Sequence, residues 1–227
     1  DGTSYRNDYP LWIYPAGIKA ESSSDICVTD DLEAHLEYLA EGGKVLWFPP
    51  KDRYKAQTVG GLFQTDYWNY RMFKTICESL ERPVSPGTLG ILTHPEHPAL
   101  ADFPTEFHTN WQWFPIVKQS YPMILDSLPD GYLPIVQVID NVERNHKLGL
   151  LFEFKVGKGR LLVCMSDLRA VQEKPEARQF YHSILKYMKS SAFSPSYSIS
   201  VADLQDLFTI KVTAGEMQEL FNISSYK

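Results

Sequence analysis

A chain of 227 residues with 44% hydrophobic and 22% charged side chains has the balance of a globular protein with a substantial core. Its 28 acidic against 22 basic residues give a net charge of −6, which excludes the basic field that nucleic acid or an anionic membrane surface demands of a partner. No apolar run approaches the ~20 residues of a membrane-spanning helix.

The chain opens on Asp1-Gly2, with no initiator Met and no signal-like apolar region, as expected of a module cut from a longer polypeptide. Residues 9–15 read as a short strand, and Asp25–Val28 as another. Asp30 and Glu33 then have the spacing of a capping box, opening a helix with Leu32, Leu36 and Leu39 on one face. Gly42-Gly43 closes it, and Lys44–Phe48 follows as an apolar strand that Pro49-Pro50 stops. Strand, helix and strand joined by short links are the pattern of a sheet covered by helices.

A loop over 51–65 leads to a second predicted helix, Tyr67 to Leu80. The segment 83–122 is rich in Pro and aromatic residues and long for a loop, so it is expected to hold short elements or a functional insertion. Pro134–Ile139 alternates as a strand. Leu148–Val156 and Arg160–Met165, joined through Gly157-Lys158-Gly159, read as a β-hairpin. The clearest helix starts at Pro175, with Ala177, Phe180, Tyr181, Ile184, Leu185 and Met188 on one face. Residues 190–200 read as a Ser-rich linker, followed by a helix near Val201–Phe208.

The chemistry concentrates in four places. His108-Thr109-Asn110-Trp111-Gln112-Trp113-Phe114 interleaves flat rings with amide and imidazole groups, which suits stacking on a sugar ring while its hydroxyls are held. Asp66-Tyr67-Trp68-Asn69-Tyr70 is a second aromatic and polar cluster, with Asp66 placed as a helix N-cap. Asp140-Asn141-Val142-Glu143-Arg144 joins two strands at a sheet edge, where α/β proteins often place sites. Asp140 and Glu143 form a candidate carboxylate pair, but a salt bridge from Arg144 would hold a carboxylate ionised and unsuited to act as a general acid. His94-Pro95-Glu96-His97 matches zinc spacing only loosely, so no metal is expected. Cys27, Cys77 and Cys164 have neither C-x-x-C spacing nor the small neighbours of a nucleophile elbow, and read as buried free thiols.

The blocks PGTLGILTHPEHPALADFPTEFHTNWQWF (86–114), PIVQVIDNVERNHKLGLLFEFKVGKGRLLVCMSDL (134–168) and PEARQFYHSILKYM (175–188) resemble a C-terminal module of family 2 glycoside hydrolases, the β-galactosidase-like enzymes of gut Bacteroidetes. That module is similar in turn to flavodoxin-like, class I glutamine-amidotransferase-like domains. The resemblance spans roughly residues 9–190. It implies a three-layer α/β sandwich with a mostly parallel central sheet over 1–190, and a linker with a short helical tail over 191–227. It also implies a non-catalytic accessory role in carbohydrate degradation, in a periplasmic or secreted polypeptide whose two catalytic carboxylates lie in an upstream barrel. The amidotransferase cysteine has no counterpart here, and no cofactor is implied. On this reading His108, Asn110, Trp111, Trp113, Asp66, Tyr67, Trp68, Asp140, Asn141 and Arg144 are candidates for contact with the catalytic domain, a carbohydrate or a second copy of the chain. The alternative is an independent carbohydrate-binding module with Trp111 and Trp113 as stacking platforms.

Overall fold

A computed structural model of the chain describes residues 2, 4–18, 23–60, 70–82, 87–141 and 144–209. Asp66, Tyr67, Trp68 and Glu143 lie outside the described residues.

β1 (Ile26–Thr29) leads through a 3-10 turn and α1 (Leu36–Ala40) into β2 (Lys44–Trp47), and the two strands pair in parallel. The expected capping box does not form. Thr29 Oγ1 accepts from the Asp31 N–H, while Glu33 turns to Arg53 at 2.8 Å. At the far end of α1 the Gly43 N–H closes on the Tyr38 carbonyl, so Gly42-Gly43 ends the helix as its sequence indicates.

α2 (Tyr70–Ser79) and β3 (Gly90–Thr93) follow, then 3-10 turns at Pro98–Leu100 and Trp111–Trp113, α3 (Phe114–Val117) and the two-residue β4 (Met123–Ile124). β5 (Val136–Ile139), β6 (Lys147–Val156), β7 (Gly159–Cys164), α4 (Pro175–Lys189), β8 (Ser198–Ile199) and α5 (Val201–Thr209) complete the order. Short elements thus occupy the described part of the aromatic segment 83–122.

The sheet runs β1-β2-β7-β6-β5-β3, with β4 and β8 also paired to β6. Among the described residues, β1·β2, β2·β7 and β6·β8 are parallel, whereas β3·β5, β4·β6, β5·β6 and β6·β7 are antiparallel. The expected mostly parallel sheet therefore gives way to a mixed one. The cause is connection length. A helix crossover between β1 and β2 permits parallel pairing, but the two-residue link between β6 and β7 can only reverse the chain. Gly157 sits first in that link at φ +58°, as a II′ turn asks. Gly159 follows where a Cβ would lie 1.8 Å from the Leu39 carbonyl oxygen, so the hairpin presses directly on α1.

Helices cover both faces. Leu46, Leu162, Leu148 and Leu151 meet α3 and α4, whose Ile116, Phe180, Ile184 and Met188 are fully buried. Val45, Trp47, Val163, Phe152 and Phe154 meet α1 and α5 through Leu39, Leu204 and Phe208. Along β6 the inward parity changes: Leu148 and Leu150 face α4, and so does Leu151, after which Phe152, Phe154 and Val156 face α5. The shift is a β-bulge. Val136 pairs with Leu151, but its neighbour Gln137 pairs with Gly149, leaving Leu150 without an opposite number on β5.

Two expectations fail at the termini. Residues 9–15 join no strand ladder; they run as an extended arm with Leu11 and Ile13 82% and 84% exposed. The 190–200 segment is more than a linker, because β8 extends β6 and α5 packs into the core. Phe73 and Ile76 on α2 are exposed, as is Leu80 just past its end.

Candidate functional site

The Trp111 run divides by burial. Asn110 starts a 3-10 turn, its side-chain oxygen accepting from the Gln112 N–H at 3.2 Å. That turn sends Gln112 and Trp113 inward and Trp111 outward. Trp113 is 0% exposed: its ring packs edge-on against Phe103 and Phe180 at 5.0 Å, and its Nε1–H donates to Thr105 Oγ1 at 2.8 Å. Trp113 is therefore a core residue and not a surface platform. Once its indole N–H has an internal partner, burying the ring carries no polar penalty. His108 stays exposed against the Thr109 carbonyl at 3.0 Å and the edge of the Phe107 ring.

Trp111 is 76% exposed. With the partly exposed Phe114 it forms one wall of an open groove of about 560 Å³, completed by Lys118, Gln119, Lys174 and Glu176. The N-terminal arm ends beside it. Tyr14 stacks on Phe103, and its hydroxyl donates to Oε1 of Gln112, the residue after Trp111, at 2.5 Å.

The Asp140 loop forms the expected salt bridge. The carboxylate, 1% exposed, accepts from Arg144 Nη2 at 2.5 Å and Nε at 3.3 Å, and from the Asn141 and His146 N–H groups at 2.8 and 3.1 Å. Asn141 Oδ1 caps the turn by accepting from the Arg144 N–H at 2.9 Å, and His146 Nδ1 lies 2.6 Å from Asp126. With Arg144 and two backbone N–H groups all bonded to its carboxylate, Asp140 is a structural anchor of its loop. Among the described residues, no hydrogen bond joins His108 to Asp140.

Cys164 is buried at the end of β7, and desolvation pushes its thiol up to about 12, far from a reactive thiolate. Cys27 and Cys77 are only half-buried, short of the expected burial, and neither forms a disulfide. Among the described residues there is no cluster of three or more His, Cys, Asp or Glu able to hold a metal ion.

A different polar group emerges where β6, still paired with β7, loses its neighbour on the other edge. β5 pairs with β6 only as far as Leu151, and β8 takes up the ladder at Lys155. Between them, at Glu153, a cavity of about 430 Å³ opens, lined by His94, His97, Tyr132, Leu133, Glu153 and Tyr197 among others. The bulge turns Glu153 toward α4, where Tyr187 donates its hydroxyl to Oε2 at 2.7 Å; Tyr132 donates to the Glu153 carbonyl at 3.0 Å. Burial raises the Glu153 carboxyl above the ordinary carboxylate range. His97 caps the Pro98 turn by accepting the Ala99 N–H on Nδ1 at 3.2 Å, and burial together with His94 lowers it to about 4. The His94/His97 motif is thus a pocket wall and a cap.

The fold and its sites define an open, mixed α/β sheet domain with helices on both faces, an exposed aromatic groove and a separate pocket at a gap in the sheet. The chain belongs to the family described as a domain of unknown function (DUF8487), whose model matches residues 27–209. A comparison with curated proteins gives no match.

Proposed function

We propose that this chain is a non-catalytic accessory module of a carbohydrate-degrading polypeptide of the family 2 glycoside hydrolase kind, exported with it to the periplasm or beyond. It seats against the catalytic domain through the Trp111 groove and the N-terminal arm. The observation that carries this reading is the placement of apolar surface. Trp111 and Phe114 on the groove, and Leu11 and Ile13 on the arm that Tyr14 anchors to Gln112, are all left in solvent, and exposed apolar surface of that kind marks protein contacts. The three adjacent parallel strands β1-β2-β7, with helices on both faces, support kinship with flavodoxin-like and amidotransferase-like sheets; the antiparallel half departs from that pattern. The Arg144 salt bridge on Asp140 and the inert thiol of Cys164 support a non-catalytic role.

A carbohydrate reading of the same groove has its own support in Gln119, Lys174 and Glu176, which set hydrogen-bonding groups beside an exposed indole face. One set of measurements separates the readings. Trp111→Ala in the polypeptide carrying the catalytic domain is expected to uncouple the two domains' thermal transitions while leaving the fold of this one intact. Unchanged coupling, or turnover of nitrophenyl galactosides by the isolated chain, overturns the accessory role. Saturable oligosaccharide binding that Trp111→Ala abolishes would transfer the groove to sugar.

A further inference from the structure

The gap at Glu153 is a pocket that the docking reading does not use, and it shares no lining residue with the Trp111 groove. Its volume of about 430 Å³ falls in the range of small-molecule sites. Its chemistry is lopsided. Glu153 brings a carboxylate, yet no Lys or Arg lines the cavity among the described residues, and Glu153 enters no ion pair there. Two basic side chains near it are engaged elsewhere: Arg160 Nη1 donates to the Phe193 carbonyl at 2.8 Å and Lys147 Nζ to the Pro129 carbonyl at 2.9 Å. Tyr187 satisfies one carboxylate oxygen. A half-desolvated anion with no cation of its own is costly unless a ligand supplies the charge.

The remaining walls restrict what that ligand can be. Tyr132 and Tyr197 meet edge to face at 5.0 Å and give the cavity an aromatic side, which favours a cation or the C–H face of a ring. His97 has committed Nδ1 to its cap, so its ring offers Nε2–H as a donor, and Ser196 adds a hydroxyl. These two groups call for hydroxyl oxygens on the ligand next to its positive group.

We infer that the gap in the sheet at Glu153 binds a small hydroxylated amine, about one amino-sugar ring in size, its ammonium group paired with the Glu153 carboxylate and its ring against Tyr132 and Tyr197. The site needs no other subunit or domain. It therefore stands or falls apart from the docking reading.

Titration calorimetry on the full chain tests it, with glucosamine and glucose as the two probes, at about pH 6.5, where an amine of this kind is largely charged. Glucosamine is expected to bind saturably in the millimolar range and glucose at least about tenfold more weakly, because only the charge-assisted pair distinguishes them. Glu153→Gln is expected to remove that preference. Leu133→Arg provides a second check, since Leu133 is exposed at the cavity wall and an Arg there would occupy the carboxylate without disturbing the core. Equal binding of the two sugars, no binding of glucosamine, or a preference that survives both substitutions overturns the proposal.

Discussion

Asp140 and Glu153 are both carboxylates on or beside the central antiparallel strands, and they have opposite situations. Asp140 comes with its own cation four residues away and two backbone N–H groups aimed at it. Glu153 has one tyrosine hydroxyl and a cavity. A carboxylate whose partners all come from its own loop is part of the scaffold. One that lacks a cation in a pocket remains addressable from outside. The contrast turns on local supply of charge, because both side chains lie at least partly out of water.

The largest effect should come from breaking the self-sufficient site. Asp140→Ala removes the acceptor that Arg144 shares with two backbone N–H groups, and should cost about 3–5 kcal/mol in denaturant unfolding. A loss below about 1 kcal/mol would make the loop as adjustable as the gap.

A smaller, pH-dependent effect is expected from the pocket wall. His97 is lowered from the usual value near 6.5 to about 4 by burial and the neighbouring His94, with Tyr187 against its ring and Glu153 across the cavity. Below about pH 6.5 the unfolded chain binds a proton that the folded chain refuses, so stability falls from there down to about pH 4. After allowance for partial solvent screening, the loss should be about 1–2 kcal/mol. His97→Asn keeps an N-cap acceptor and should remove that part of the slope; melting curves from pH 4 to 7 compare the two.

The smallest effect, and the sharpest contrast with Asp140, is expected at Glu153. Its carboxyl is raised by burial, so its contribution to stability is full at low pH and is lost as pH rises through its folded value. At neutral pH, Glu153→Gln should therefore cost nothing or raise the melting temperature. A clear loss of stability would mean that an internal charge depends on the carboxylate.

What could be read from the sequence was local. The hairpin at 157–158, the amphipathic face of α4 and the Asp140–Arg144 bridge each depend on residues within a few positions of one another, and spacing reveals them. The antiparallel pairing of β5 with β3 joins strands whose connection is long, so spacing leaves its direction open, which is how the mixed topology escaped. Trp111 and Trp113 have the same chemistry two residues apart, and only the 3-10 turn started by Asn110 separates core from surface. Glu153 lies in a strand that reads simply as one arm of a hairpin. Its real setting depends on a bulge, a missing stretch of ladder and a tyrosine thirty-four residues away, none of which leaves a local mark.

The unopposed Leu150 gives β6 a property of its own. The strand behaves as two half-strands written in opposite frames, so a one-residue deletion there would exchange the layers that every later side chain of β6 addresses. Phe152 and Phe154 would be delivered to α4, and the Glu153 carboxylate would be thrust among the rings now packed with α5. Apolar substitutions of similar volume at Leu150 should therefore be better tolerated than changes in length, since this position supplies the fold with a count as well as a buried side chain.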